Sequence, residues 1–241
     1  MIVRNVFRSL YLSSISNSRS MASVIKLNVN DTDTKAAVLK AVSSLQAGNV
    51  IAVPTDTIYG VAALAQDISA VKKLYAVKGR NGHNPIAICV SNVQDLFRWS
   101  HVTVTQDLLN DLLPGAVTLV FRRKPELNPE FNPFTDLIGI RIPNYPFVQQ
   151  IAAAAGSPVA LTSANISAAK STLCVEEFEN LWPHLDLVFD GGIIGDSEEA
   201  RLGSTVINLS VPGQFTIIRP GSVYQKTVDI LKNKYGLKEV R

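Results

Sequence analysis

Five short polar clusters interrupt an otherwise apolar chain, and each stands where its residue types could do chemistry. Pro54-Thr55-Asp56-Thr57-Ile58-Tyr59-Gly60 packs two hydroxyls, a carboxylate and a phenol into five residues, directly after an apolar run. Such groups can line a pocket for a small polar substrate. Equally, Asp and Thr cap turns. Lys78-Gly79-Arg80, with Asn84-Pro85 after it, sets two cations two residues apart in a glycine-bearing loop. That pairing suits a polyphosphate, the lysine as a point charge and the arginine as a fork for phosphate oxygens. A solvated turn is the alternative. Arg141 lies inside the apolar run Leu137–Pro143. A buried arginine must meet either a buried acid or an anionic ligand. Thr162-Ser163-Ala164-Asn165-Ile166-Ser167 follows the run Val159–Leu161, and Gly203-Ser204-Thr205-Val206 and Arg219-Pro220-Gly221 come near the end. The segments 203–206 and 219–221 together make the fifth cluster, and it and the fourth each read as a hydrogen-bonding cluster or as ordinary turns.

Familiar site motifs are missing. The sequence holds no GxxxxGKS/T loop, no GxGxxG fingerprint, no GxSxG elbow and no HExxH helix. Gly191-Gly192-Ile193-Ile194-Gly195 is glycine-rich at the wrong spacing. Cys89 and Cys174 are too few for a disulfide framework or a four-ligand zinc site, and His83, His101 and His184 show no ligand spacing. No protein-held metal is expected.

The segments between the clusters alternate in period. Lys35–Ala47 carries apolar residues at helical spacing and meets Gly48, a C-cap residue. Ile68–Val77, Val104–Leu113 and Pro146–Ala155 also read as helices, Val175–Leu181 as a short one, and Val223–Lys234 as a terminal one. Asn49–Val53, Pro85–Val90, Val117–Phe121, Ile138–Ile142, Val159–Thr162 and Leu187–Phe189 read as strands, with Thr205–Leu209 and Phe215–Ile218 as a closing hairpin. Helices interleaved with strands imply an α/β domain, and the hairpin implies a mixed sheet. No linker or repeat appears between about residues 24 and 225, so one catalytic-sized domain is expected there, with 226–241 as a helical tail. Ligands of open α/β sheets bind at the carboxyl ends of strands, which is where several clusters fall.

With 241 residues, 46% of them hydrophobic and 18% charged, the chain can bury a full core. No window reaches the ~20 apolar residues that cross a bilayer. The net charge of +3 comes from the N-terminus. Residues 1–30 hold Arg4, Arg8, Arg19 and Lys26 and no acid; of 23 basic residues 19 remain beyond them, against 20 acidic. A nearly neutral domain argues against binding nucleic acid by its overall field. Residues 1–20 contain three arginines, six serines and no acid, the composition of a mitochondrial transit segment, a functionless tail being the alternative. Met21 offers a second start, so dual mitochondrial and cytoplasmic location is expected.

In their order, PTDTIYG, KxR with NP, PGAVT at 114–118, GIRIP, SANIS, GSTV and RPG resemble the YrdC family of threonylcarbamoyl-AMP synthases, from about Val24 to Ser222. The chain resembles the single-domain form found in animals. The resemblance implies an open twisted mixed sheet with flanking helices around a concave cleft. It implies an enzyme, a nucleotidyltransferase, that condenses L-threonine, bicarbonate or CO2, and ATP to threonylcarbamoyl-AMP with release of pyrophosphate. A separate complex would then transfer the threonylcarbamoyl group to ANN-decoding tRNAs, so that tRNA is met only indirectly. Mg²⁺ is expected with the ATP. By motif position, Thr57, Arg141 and Ser204, with Tyr59, would hold threonine. Lys78, Arg80, Asn84, Ser163, Asn165, Ser171 and Arg219 would hold ATP, Lys78 and Arg80 being the catalytic cations. No enzyme nucleophile is needed, because the carbamate itself attacks the α-phosphorus, and catalysis would be positioning plus charge stabilisation. Two positions depart from the family: Asn81 stands where many relatives have proline, and Cys89 where many have histidine. An RNA-binding module, a carbamoyl-transfer domain of larger hydrogenase-maturation proteins and a non-catalytic scaffold are the competing readings. Neutral charge, missing zinc-finger cysteines and intact clusters weigh against them in turn.

Overall fold

The computed structural model describes residues 22–28, 31–79, 84–166 and 169–240. The segment read as a transit peptide, with Arg80, Asn81 and Ser167, lies outside the described residues. In chain order the elements are β1 (Ser23–Lys26), α1 (Asp31–Gln46), β2 (Ile51–Val53), β3 (Gly60–Leu64), α2 (Ile68–Val77), β4 (Ala87–Cys89), α3 (Val93–Trp99) and β5 (Ser100–His101). Then come α4 (Gln106–Leu112), β6 (Val117–Arg123), β7 (Leu137–Arg141), α5 (Pro146–Ala155), β8 (Val159–Ser163) and a 3-10 helix, Val175–His184. β9 (Leu187–Asp190), a 3-10 turn at Glu199–Leu202, β10 (Thr205–Asn208), β11 (Gln214–Arg219), α6 (Tyr224–Asp229), a π turn at Ile230–Lys234 and β12 (Lys238–Glu239) complete the fold.

Local chemistry sets the helix ends. Asp67 caps α2 by accepting from the amides of Ser69 and Ala70 at 2.8 and 3.1 Å. Asn92 caps α3 through the Asp95 amide and Thr105 caps α4 through the Leu108 amide. Pro146 opens α5, and Gly156, at φ 62°, closes it in the left-handed region.

The described strands form one mixed sheet in the order β1-β9-β2-β3-β8-β4-β7-β6-β10-β11-β12, with β5 paired to β6. β10 and β11 form the expected antiparallel hairpin, while β10 runs parallel to β6. Alternation along the strands sorts their side chains to two faces. Val61, Ile88, Leu119, Phe121, Ile138, Ile140 and Ile207 point to the first face, which is covered by apolar residues of α2, α3, α4, α6 and the Val175–His184 helix. Ile51, Val53, Ala62, Cys89, Val159, Leu161 and Phe189 point to the second, where α1 and α5 cover them with Ala41, Leu45, Phe147 and Ile151. Those two helices stop short. Over β4, β7, β6 and β10 the second face carries Ala87, Gly139, Thr118, Val120 and Val206, and these line an open cleft.

Several elements differ from the periodic reading. β3 is GVAAL, whose alanines and glycine carry little strand propensity; it forms because it is flanked on both sides, by β2 and β8. α3, with its Asn92 cap, and the short β1, β5 and β12 are additional. The last segment is no loose tail. Leu237 packs on the core, β12 pairs with β11, and Asp111 of α4 accepts from Tyr235 Oη and pairs with Lys234 Nζ, both at 2.5 Å.

Candidate functional site

The loop between β2 and β3 is built around one hydroxyl. Thr55 Oγ1 accepts from the amides of Thr57 and Ile58 at 3.1 and 3.2 Å, donates to the Ile58 carbonyl at 2.7 Å, and touches Thr57 Oγ1 at 3.1 Å. The loop is thereby fixed with Asp56 and Thr57 facing Arg141 at the end of β7. Arg141 Nη2 donates to Thr57 Oγ1 at 2.7 Å and to Asp56 Oδ1. Asp56 Oδ2 accepts from the Asn144 amide at 2.9 Å. The sequence left open whether Arg141 meets an acid or a ligand. The acid is present, yet the buried Arg141 Nε has no protein partner and Arg141 borders the cleft. Beside it, the fully buried Cys89 thiol is pushed up to about 12 by desolvation, so it stays protonated at neutral pH.

Across the cleft floor, Ser204 Oγ meets Thr118 Oγ1 at 2.8 Å. Arg219 Nη2 donates to the Ser204 carbonyl at 2.8 Å and to its hydroxyl at 3.2 Å. Gly221 makes this joint possible. A Cβ there would stand 2.3 Å from the Ser204 carbonyl carbon and 2.4 Å from the Thr205 nitrogen, inside backbone that cannot give way. Partial burial, and then the charge of Arg141, lower the proton affinity of Arg219. Asp56 balances Arg141 from behind, no acid is among the described residues that line the cleft, and Arg219 is left without a carboxylate partner among the contacts described. That field favours an anion.

At the other end, Lys78 is fully buried. Its ammonium donates to the Ser163 carbonyl at 2.5 Å, to Ser163 Oγ at 3.3 Å, to Asn165 Oδ1 at 2.9 Å and to the Asn165 carbonyl. Asn165 Nδ2 reaches the Ala169 carbonyl. Asn84 and Ser163 border the cleft. A loop the sequence did not single out fixes this side: Asn132 accepts from the Ile86 amide at 2.9 Å and donates to its carbonyl at 2.8 Å.

The cleft encloses about 440 Å³ and has two polar ends. Arg141 lies opposite Cys89, whereas Leu161, two residues before Ser163, lies opposite Ala87. Arg141 and Ser163 are therefore about four residues apart along the strands, or ~13 Å. Apolar groups of Ile58, Ala87, Val120, Val206 and Ile218 lie between and around them. The cleft runs across the sheet face, so its polar groups come from both strand ends: Arg141 and Ser163 at carboxyl ends, Thr118 and Ser204 at or just before amino ends.

Of the predicted site residues, Tyr59, Asn84, Arg141, Ser163, Ser204 and Arg219 border the cleft, Thr57 joins them through its contact with Arg141, and Lys78 and Asn165 lock the turn that carries Ser163. Tyr59 borders the cleft, but its ring and hydroxyl are engaged elsewhere. Its ring is buried on the opposite face of the sheet, against Phe178, and its hydroxyl donates to the Gly192 carbonyl at 2.7 Å and accepts from the Gly191 amide at 2.9 Å. Ser171 is not among the cleft-lining residues; its carbonyl is held by Arg201 Nη1 at 2.6 Å, and Arg201 also pairs with Glu177 through two contacts of 2.7 and 2.8 Å. Thr55, Thr118 and Gly221 were missed as site-building residues. Thr118 had a signal, a hydroxyl inside the buried run Val117–Phe121.

A half-uncovered mixed sheet whose open face presents hydroxyls and two guanidinium groups defines an α/β protein with a cleft whose chemistry suits an elongated anionic ligand. Comparison with known proteins narrows this. The family described as "Telomere recombination", Sua5/YciO/YrdC, matches residues 43–221. The chain is 54% identical over 203 residues to the threonylcarbamoyl-AMP synthase of Mus musculus, covering 83% of this chain and 72% of that protein. It is 54% identical to the enzyme of Homo sapiens over the same length, covering 83% and 73%. Among solved structures, P. abyssi Sua5 complexed with L-threonine superposes with a TM-score of 0.72 at 23% identity, covering 92% of this chain and 63% of that one. E. coli YciO does so with a TM-score of 0.72 at 22% identity, covering 83% and 95%. The chain belongs to the Sua5/YciO/YrdC family.

Proposed function

We propose that the protein is a threonylcarbamoyl-AMP synthase, condensing L-threonine, bicarbonate or CO2, and ATP, with release of pyrophosphate. The supporting observation is the two-ended cleft, which Arg141 and Arg219 both border, with no acid among the lining residues described. The reaction assembles three anions: the amino-acid carboxylate, the carbamate on its nitrogen and the triphosphate. A carbamate oxygen forms the bond to the α-phosphorus, and the bond from that phosphorus to the departing pyrophosphate breaks. No side-chain nucleophile takes part. The protein supplies alignment and positive charge, the two contributions that dominate phosphoryl and nucleotidyl transfer.

In this reading Arg141, Thr57 and Ser204 hold threonine, with Thr118 setting the Ser204 hydroxyl. Ser163, Asn84 and Arg219 hold ATP, joined by Arg80 through its motif position. Lys78 acts by fixing the Ser163–Asn165 turn under the phosphates. Magnesium enters on the ATP as part of that substrate; among the described residues no group of three or more His, Cys, Asp or Glu is placed to hold an ion of its own. The product is passed to a separate complex that modifies adenosine in ANN-decoding tRNAs. Translation from Met1 sends the chain to mitochondria, and translation from Met21 leaves it in the cytoplasm.

The test is pyrophosphate release by the full chain with Mg-ATP, omitting threonine and bicarbonate in turn. Release that needs both supports the reading. A folded protein that releases none, or releases it without threonine, refutes it.

A further inference from the structure

Asp56 is the one acid of the PTDTIYG cluster, and the role assignments above leave it unused. Its side chain is 11% exposed and that of Arg141 is 9% exposed, so the pair is buried. Its two oxygens do different work. Oδ1 accepts from Arg141 Nη2; Oδ2 accepts from the Asn144 amide, three residues further along the same chain segment. Thr57 Oγ1 takes the second hydrogen of Nη2. One arm of the guanidinium is thus fully used inside the protein, and Nε, buried and without a protein partner, is left beside the cleft.

We propose that Asp56 is the positioning residue of the amino-acid subsite, clamping the Arg141 arm and the Asn144 turn together so that the rest of the guanidinium is presented to the substrate carboxylate. The inference rests on the synthase reading and deepens it. The geometry requires a carboxylate at this position. Both contacts to Asp56 come from N–H donors, and a carboxylate accepts at both oxygens. An asparagine has one acceptor oxygen and one amino group, so in either orientation it sets a donor against a donor. Asp56→Asn therefore keeps the shape of the side chain and loses one half of the clamp. A buried arginine held in one rotamer also binds a carboxylate without the cost of ordering a flexible side chain.

The experiment measures steady-state kinetics of Asp56→Asn in the full chain, with thermal melting as a check on folding. The wild-type protein is assayed first; if it releases no pyrophosphate, the synthase reading itself fails, and that outcome is distinct from any result with the variant. The expected result is a KM for L-threonine raised tenfold or more, a KM for ATP within twofold of wild type, and partial recovery of threonine KM in Asp56→Glu. L-threoninamide, which lacks the carboxylate, provides the discriminating arm. As an inhibitor it should bind wild type and Asp56→Asn within twofold of each other, because Asp56 acts only through the carboxylate contact. An unchanged or lowered threonine KM would overturn the proposal, and so would an equal loss for threonine and its amide. Should Asp56→Asn fail to fold, binding of the amino acid and of its amide is compared in Asp56→Glu, where equal losses overturn the proposal and a loss confined to threonine supports it.

Discussion

Replacing Tyr59 by phenylalanine separates two roles that the sequence could not. The ring stays in place, since it is fully buried and packs on Phe178 with centroids 5.5 Å apart. What goes is the hydroxyl and its two hydrogen bonds, to the Gly192 carbonyl at 2.7 Å and from the Gly191 amide at 2.9 Å. Each such bond contributes about 1 kcal/mol net, and the exposed Gly192 can turn to water, so the loss should be about 1–2 kcal/mol. For a domain of this size that is a drop in Tm of roughly 2–8 °C. Desolvation raises the Tyr59 pKa well above that of a free phenol, so the loss should be the same from pH 6 to 9. Differential scanning calorimetry gives the Tm, and pyrophosphate release gives the KM for threonine, which should stay within twofold. A threonine KM raised tenfold with an unchanged Tm would show that the hydroxyl serves the substrate and that the structural argument is wrong.

Other expectations follow from the same contacts. Arg141→Ala should abolish pyrophosphate release and, by stranding the Asp56 carboxylate, lower stability by about 3 kcal/mol in urea titrations; Arg80→Ala should also abolish release. Gly221→Ala should either unfold the hairpin joint or cut activity at least tenfold, since its Cβ would press on Ser204 and Thr205; wild-type kinetics at wild-type Tm would contradict this. Glu177 is held down at about 2, from 4.5, chiefly by its hydrogen bond with Arg201. Because the folded value is depressed, its contribution is complete above pH 4.5 and is lost as pH falls toward 2. Melting curves of wild type and Glu177→Gln should therefore converge across that window, and parallel curves would refute the assignment.

Sequence was most informative where one physical constraint ruled. Apolar runs with polar ends gave the central strands, and Pro146 and Gly156 gave both ends of α5. It was least informative where partners decide. β3 is a strand because two neighbours pair with it, not because Gly-Val-Ala-Ala-Leu prefers to be one. Tyr59 and Thr57 are two residues apart in one cluster, yet the hydroxyl of Thr57 meets Arg141 and that of Tyr59 meets Gly191 and Gly192, and nothing in their types says which goes where. Arg141 presented two alternatives, an acid or a ligand. The fold places Asp56 on one arm and leaves another edge of the guanidinium without a partner. Lys78 looked like a ligand-facing cation, but its burial ties it to the turn it supports. Gly221 is unreadable without the backbone it touches.

The division of the second face has a thermodynamic consequence. Beneath α1 and α5 the domain is a three-layer sandwich; over β4, β7, β6 and β10 it is two layers with a missing third. A nucleotide and amino acid lying in that space would stand where a helix stands elsewhere, completing the core from outside the chain. Ligand affinity and fold stability then draw on the same contacts. Saturation at a hundredfold over Kd adds about 2.7 kcal/mol to the unfolding free energy. On the synthase reading, the half of the sheet that the sequence leaves thinnest would in this sense be folded in part by its substrates, and lack of either one would loosen the enzyme as well as idle it.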